Sequence, residues 1–457
     1  MSSLGYQRIY RALMEAPGLA CERAFLDDEC ESDPARAPEV PHTYESLRPV
    51  AELPVLAFSV AYELEMAGLV RMLVAAGLPP LRRDRDERHP LVVAGGPLTF
   101  SNPVPLAALV DAIVVGEADA RVVEAMHAVD GASSRAARLE ALAAIPHVFV
   151  PALHAVMPPV GAEDDAVLPA FSAIRTPHTE LSNMFLVETE RGCSRGCTYC
   201  VMRRSTNGGM RIVPAETILD VIPTDARRVG LVGAAVSDHP RIVDIVHALA
   251  DRGCEVGLSS LRPDKLARGD DFVAALARVG YRTLTTAMDG TSERVRESLD
   301  RRARPQHLLR CAELAKKHGM DRLKLYLMIG TPGETDEDVD ECVAFATEIS
   351  RILPLALGIA PFCAKRNTPL DGQPFAGIAV VDARLERLRR GLKGRVDVRA
   401  TSARWAWVEY VLAQGGEPHG EAVVEAVAEG GSFRAYERAF RRVAPAAPRR
   451  ALKVASL

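Results

Sequence analysis

The sequence predicts an α/β protein with a doubly wound parallel sheet at the N-terminus, a central partial (β/α)6 barrel and a small C-terminal helical region. Three observations carry that expectation. Short apolar runs alternate with helically spaced segments along most of the chain. Several of the helical segments close at glycine, as C-capping requires. A stretch bearing Pro151, Pro158, Pro159, Pro169 and Pro177 divides the alternation into two blocks. At 457 residues the chain exceeds what one core usually organises, so several domains are expected.

Residues 1–150 make the first block. "LPVLAFSV" (53–60), "HPLVVAGGP" (89–97) and "LVDAIVVGEAD" (109–119) are apolar runs ending in turn residues, which suits buried parallel strands. "YELEMAGLVRMLVAAGL" (62–78) has helical spacing and closes at Gly77. Residues 28–45 are polar and Pro-rich and predict a surface loop, and residues 151–180 predict a linker. The barrel is expected over 181–375, with strands at 184–190, 228–234, 255–260, 281–287, 322–330 and 355–362. Residues 376–457 form a mainly helical extension, with "VDVRA" (396–400) a short strand between its first two helices.

Composition narrows the function classes. A net charge of -4 gives no electrostatic case for a nucleic-acid or membrane partner. No apolar run reaches the ~18 residues of a membrane span, and "MSSLGYQRIYRAL" lacks a signal-peptide core, so a cytoplasmic protein is expected. Nine cysteines, scattered outside one cluster, are not a disulfide scaffold.

That cluster is "ERGCSRGCTYCVMR" (190–203), with Cys193, Cys197 and Cys200 on the loop after the first barrel strand. Active groups of a parallel barrel gather at the C-terminal ends of its strands. Soft thiolates suit an iron–sulfur cluster, and three of them leave one iron open for a substrate. A structural zinc site wants four ligands, and no second CxxC pair exists here. A thioredoxin-type pair would leave Cys193 unexplained.

The motif C-x3-C-x2-C with Tyr199 before the last cysteine resembles the radical S-adenosylmethionine (SAM) superfamily. The resemblance implies a 4Fe–4S cluster on Cys193, Cys197 and Cys200 that cleaves SAM reductively to a 5′-deoxyadenosyl radical. It implies a methionine-amine site at Gly233 and Ala234, in a second-strand motif that lacks the family's Gly-Gly-Glu form. Ser260 and Arg262 end the third strand, where Arg262 could grip a carboxylate. Arg296, after the fourth strand, is a second carboxylate partner by the same resemblance. "GTPGET" (330–335), with Gly330, Pro332 and Gly333, resembles the family's adenine-side turn. "PFCAKRNTP" (361–369), with Phe362, Lys365 and Thr368, resembles its sixth-strand motif.

Residues 53–120 resemble the Rossmann-like cobalamin-binding-type domain that precedes many radical enzymes, but the D-x-H-x-x-G signature with its cobalt-ligating His is missing. Cobalamin binding without a His ligand, and with it C-methylation, is therefore one expectation. Loss of the cofactor is the other. The partners implied are a small-molecule substrate and an electron donor such as flavodoxin or ferredoxin. Two other readings stay open. One is a non-catalytic iron–sulfur or cobalamin-binding sensor. The other is a methylthiotransferase-like modifier of RNA or protein, which needs three N-terminal cysteines where only Cys21 and Cys30 occur.

Overall fold

A computed structural model describes residues 2–26, 39–204, 206 and 208–443; Cys30 and most of the expected 28–45 loop lie outside them. The chain forms two compact units that interleave along the sequence. The barrel unit holds residues 1–7, 168–363 and 373–407, and the N-terminal unit holds 8–167, 364–372 and 408–457. This grouping cuts across the expected linear order of domain, linker, barrel and helical extension. The linker splits between the units, and the last helices join the N-terminal unit.

The N-terminal unit is built on β1 (Val55–Ser59), β2 (Leu91–Gly95), β3 (Ala112–Val114) and β4 (Val148–Phe149), in the order β1-β2-β3-β4. The first three run parallel and β4 is antiparallel to β3. Leu91, Val93, Ala112 and Val114 are buried against helices Arg121–Asp130 and Arg135–Ala143. All three expected strands are present. Among the described residues the doubly wound topology is not seen, because the strand order β1-β2-β3-β4 does not reverse. Apolar runs reveal strands but not their neighbours.

The barrel unit carries β5 (Met184–Glu188), β6 (Glu190–Arg191), β7 (Arg211–Ile212), β8 (Arg228–Val232), β9 (Glu255–Leu258), β10 (Thr283–Asp289), β11 (Arg322–Ile329), β12 (Leu355–Pro361) and β13 (Val396–Ala400). Strands β5-β8-β9 form one parallel sheet and β10-β11-β12-β13 another. Each of the six expected barrel strands is found. The seventh, β13, pairs parallel with β12 rather than standing among the C-terminal helices. Helices between the strands cover one face, where Val187, Leu231, Leu284, Leu325 and Leu357 join a single core. This is an open, partial barrel in which the strands of each parallel sheet end on one side. Among the described residues, no helix is long and apolar enough to cross a membrane.

Candidate active site

The cysteine loop is clamped at its base. Strands β6 and β7 pair antiparallel, so residues 190–191 and 211–212 close the segment between them. Gly192 has φ +83°, and a Cβ there would overlap the carbonyl oxygen of Gly209, so glycine is required at this crossing. The loop docks on the end of helix Glu293–Ser298. Thr198 N donates to Leu299 O at 3.1 Å, and the Cys197 thiol lies 3.8 Å from Asp300 O.

Cys197 is buried, and Cys193 and Cys200 are half-buried; all three are free thiols. Burial raises both Cys193 and Cys200, the latter to about 11, with the neighbouring cysteines contributing. These sulfurs are thus close enough to feel one another. Among the described residues, no three His, Cys, Asp or Glu side chains converge on a point that suits a single metal ion. Three thiols carried on one short loop are the donor set an iron–sulfur cluster takes.

Charged groups flank the loop. Arg301 lies beside Cys197, pairs with Asp289 at 2.5 Å and donates to Ala287 O at 3.2 Å. Burial opposes its charge and the Asp289 carboxylate outweighs that, holding the guanidinium above its ordinary value. Burial, then Asp289, raises the Tyr199 phenol. Arg195, between the first two cysteines, bridges Asp238 and Asp264 at 3.1 Å each. A cavity of about 620 Å³ opens beside the loop, lined by Arg195, Arg296, Asp300, Arg301, Arg304 and His307 among others.

Glu190 is the most perturbed carboxylate here. It is 1% exposed, and burial lifts it to about 7 although Thr189 and the Ala235 N–H donate to it. It lies against Gly233, where any Cβ would overlap its carboxylate. An acidic side chain from β6 thus stands at the second-strand turn, whose own sequence has none at that place. The Gly233 carbonyl accepts from Ser259 and Ser260, at 2.9 and 3.2 Å.

The other expected residues separate into groups. Gly233 lies against Glu190 and Ser260 bonds Gly233 O and Val236 N, while it is Ala235, next to the expected Ala234, whose N–H donates to Glu190. Arg262 is buried and already paired with Asp238 and Asp264, so its charge is met within the protein rather than by a free carboxylate. Arg296 is 2% exposed, with its guanidinium 5.7 Å from the Phe345 ring centre. Gly330 and Gly333 take φ +77° and +73°, as the turn requires, and Glu334 accepts from Gly330 N, Thr291 and Arg384. Pro332 lies between them, and Phe362 N donates to Ile329 O at 2.8 Å, joining the ends of β11 and β12. Lys365 and Thr368 fall in the N-terminal unit.

Sequence reasoning missed Glu190, Asp289 and Arg301. Glu190 had a signal, an acidic residue immediately before the cysteine loop. Asp289 and Arg301 had none, because their relation to Cys197 spans about a hundred residues.

Residues 5–151 match the family model for radical SAM proteins, N-terminal, and residues 187–346 match that of the radical SAM superfamily. The chain is 27% identical over 308 residues to the uncharacterized protein MJ0966 of Methanocaldococcus jannaschii, covering 64% of each. It is 28% identical over 141 residues to the heme chaperone HemW of Mycobacterium tuberculosis, covering 30% of this chain and 34% of that protein. The chain thus spans less than two thirds of the length of either relative. Among solved structures, the cobalamin-dependent SAM radical enzyme OxsB aligns with TM-score 0.44 and 13% identity over 76% of this chain and 50% of that one. SuiB of Streptococcus suis bound to SAM aligns with TM-score 0.35 and 13% identity, over 48% and 50%.

Proposed function

We propose that this chain, which carries radical SAM superfamily domains, is an enzyme that cleaves SAM reductively and passes the resulting radical to a small-molecule substrate. The observation that carries the reading is the loop closed by β6 and β7 that bears three free cysteines, Cys193, Cys197 and Cys200, directly after β5 of an open parallel barrel. Cys193, Cys197 and Cys200 would hold a 4Fe–4S cluster. When bound, that cluster supplies one electron, which breaks the C5′–S bond of SAM to give methionine and a 5′-deoxyadenosyl radical. A one-electron donor of the flavodoxin or ferredoxin class, in a reducing cytoplasm, restores the electron.

The chain's own residues orient SAM. Glu190, poised near neutrality, pairs with the methionine ammonium, which would hold it ionised. Arg301 takes the methionine carboxylate, with Asp289 fixing its guanidinium. The turn of Gly330, Pro332 and Gly333, with Phe362, shapes the adenine side.

The N-terminal unit lacks the D-x-H-x-x-G signature, and among the described residues its strand order never reverses. No step through a corrin follows, and a cobalamin-dependent methylation is not part of this proposal.

The test is anaerobic reconstitution with iron and sulfide, then SAM and dithionite, with 5′-deoxyadenosine followed by mass spectrometry. Formation that is lost in each of Cys193→Ala, Cys197→Ala and Cys200→Ala supports the reading. A bound cluster that never yields 5′-deoxyadenosine, with or without candidate substrates, would move the protein to the sensor class.

A further inference from the structure

Strand β11 presents two unlike faces. Leu323, Leu325, Leu327 and Ile329 are buried in the core beneath the helices. Alternation therefore turns Lys324, Tyr326 and Met328 to the inward face of the sheet. In register with Tyr326 stand Ala287 on β10 and Gly358 on β12, and in register with Lys324 stand Thr285 and Ala356. These small neighbours leave room above the strand. A Cβ on Gly358 would come within 2.7 Å of the Tyr326 ring, so the ring rests on bare backbone. The ring is nonetheless 46% exposed, and the Lys324 ammonium lies 4.7 Å from its centre.

Charge sets Lys324 apart. The other charged side chains that alternation turns to this inward face have partners. Arg228 pairs with Glu255 at 3.2 Å, Asp289 with Arg301 at 2.5 Å, Glu188 with Arg191 at 2.7 Å and Asp397 with Arg399 at 2.9 Å. Arg322 reaches Asp397 at 3.8 Å. Among the described residues, Lys324 has no carboxylate within ion-pair distance and the Tyr326 hydroxyl has no hydrogen-bond partner.

We propose that Lys324 and Tyr326 bind the substrate, and that the substrate is a small molecule with an acid group, carboxylate or phosphate, on a flat unsaturated or aromatic body. An unpaired ammonium inside a barrel calls for an anion. An exposed aromatic ring flanked by alanine and glycine calls for an apolar surface laid over it. The proposal deepens the radical-enzyme reading by naming a substrate class, and it rests on that reading for the word substrate.

The experiment uses the full-length reconstituted protein and ligand-detected NMR with three probes: benzoate, phenyl phosphate and benzamide. At least one acid binds with a dissociation constant tenfold or more below that of benzamide. Lys324→Met removes the preference, Lys324→Arg keeps it, and Tyr326→Ala weakens both acids. The stronger acid identifies the group. Equal binding of all three, no binding of any, or a preference that survives Lys324→Met overturns the assignment. Wild-type 5′-deoxyadenosine formation is measured separately. Acid preference without it leaves the binding site standing and removes the reaction; the reverse does the opposite.

Discussion

Both units end their parallel strands in glycine-bearing turns, yet those ends are met in opposite ways. In the barrel unit they bear the groups to which the proposed chemistry is assigned: the cysteine loop after β5, Glu190 against Gly233, and Asp289 paired with Arg301. In the N-terminal unit they are met by the chain itself. Lys365 bonds Glu63 and Glu409 at 2.5 and 2.7 Å, and the Asn367 amide donates to the carbonyls of Phe100 and Ser101. Asn102 donates to Leu412 and Gly415. Buried strand-end polar groups must find partners. Over β1 and β2, protein segments supply them. Where they are left for thiolates, carboxylates and arginines, a cofactor can enter.

The comparison breaks most sharply at the cysteines. Cys197→Ala is expected to remove the iron and reduce 5′-deoxyadenosine to background, measured by iron content and mass spectrometry, with the N-terminal unit's fold untouched by circular dichroism. Next in size are two largely buried, ion-paired cations, one taken from each unit. Removing one partner of a buried pair typically costs about 3–5 kcal/mol. Lys365→Met is expected to lose about 3 kcal/mol in urea unfolding while cleavage per folded molecule holds. Arg301→Met is expected to lose stability and, in addition, tenfold or more in SAM cleavage. Equal effects on cleavage would erase the distinction between the units.

A pH profile sharpens it further. Burial lifts Glu190 from an ordinary 4.5 to about 7, so the fold favours its protonated form. Between those values the folded state keeps a proton that the unfolded chain has released. Stability from this group is therefore full below pH 4.5 and lost as pH rises through 7, by at most about 3 kcal/mol. Glu190→Gln, read by thermal melts of the apo-protein from pH 5 to 8, is expected to flatten that loss. The smallest effect belongs to Gly333→Ala. At φ +73° with open space around it, the substitution is expected to cost about 1 kcal/mol of backbone strain and to weaken SAM binding severalfold, read by calorimetry.

Legibility in the sequence followed the range of the interaction. The triplet at 193–200 is local, so spacing alone located it. Each expected barrel strand was read from its own apolar run. "VDVRA" was readable as a strand, but its place beside β12 depends on a pairing about forty residues away. The order β1-β2-β3 was hidden for the same reason, since periodicity reports which face is buried and not which neighbour buries it. Arg262 looked like a free carboxylate grip because its partner Asp238 arrives from another strand end. Lys365 reads with the sixth-strand motif because it follows Phe362 in "PFCAKRNTP". The chain passes between units at residue 364, and no composition shift marks that point.

The most direct measurement compares 5′-deoxyadenosine formation by the iron–sulfur-reconstituted protein with and without added hydroxocobalamin, under dithionite and SAM. If the barrel unit alone holds the radical chemistry, product forms without cobalamin and its rate is unchanged when cobalamin is added. Formation that begins only when cobalamin is present would contradict the account and return the cofactor to the N-terminal unit.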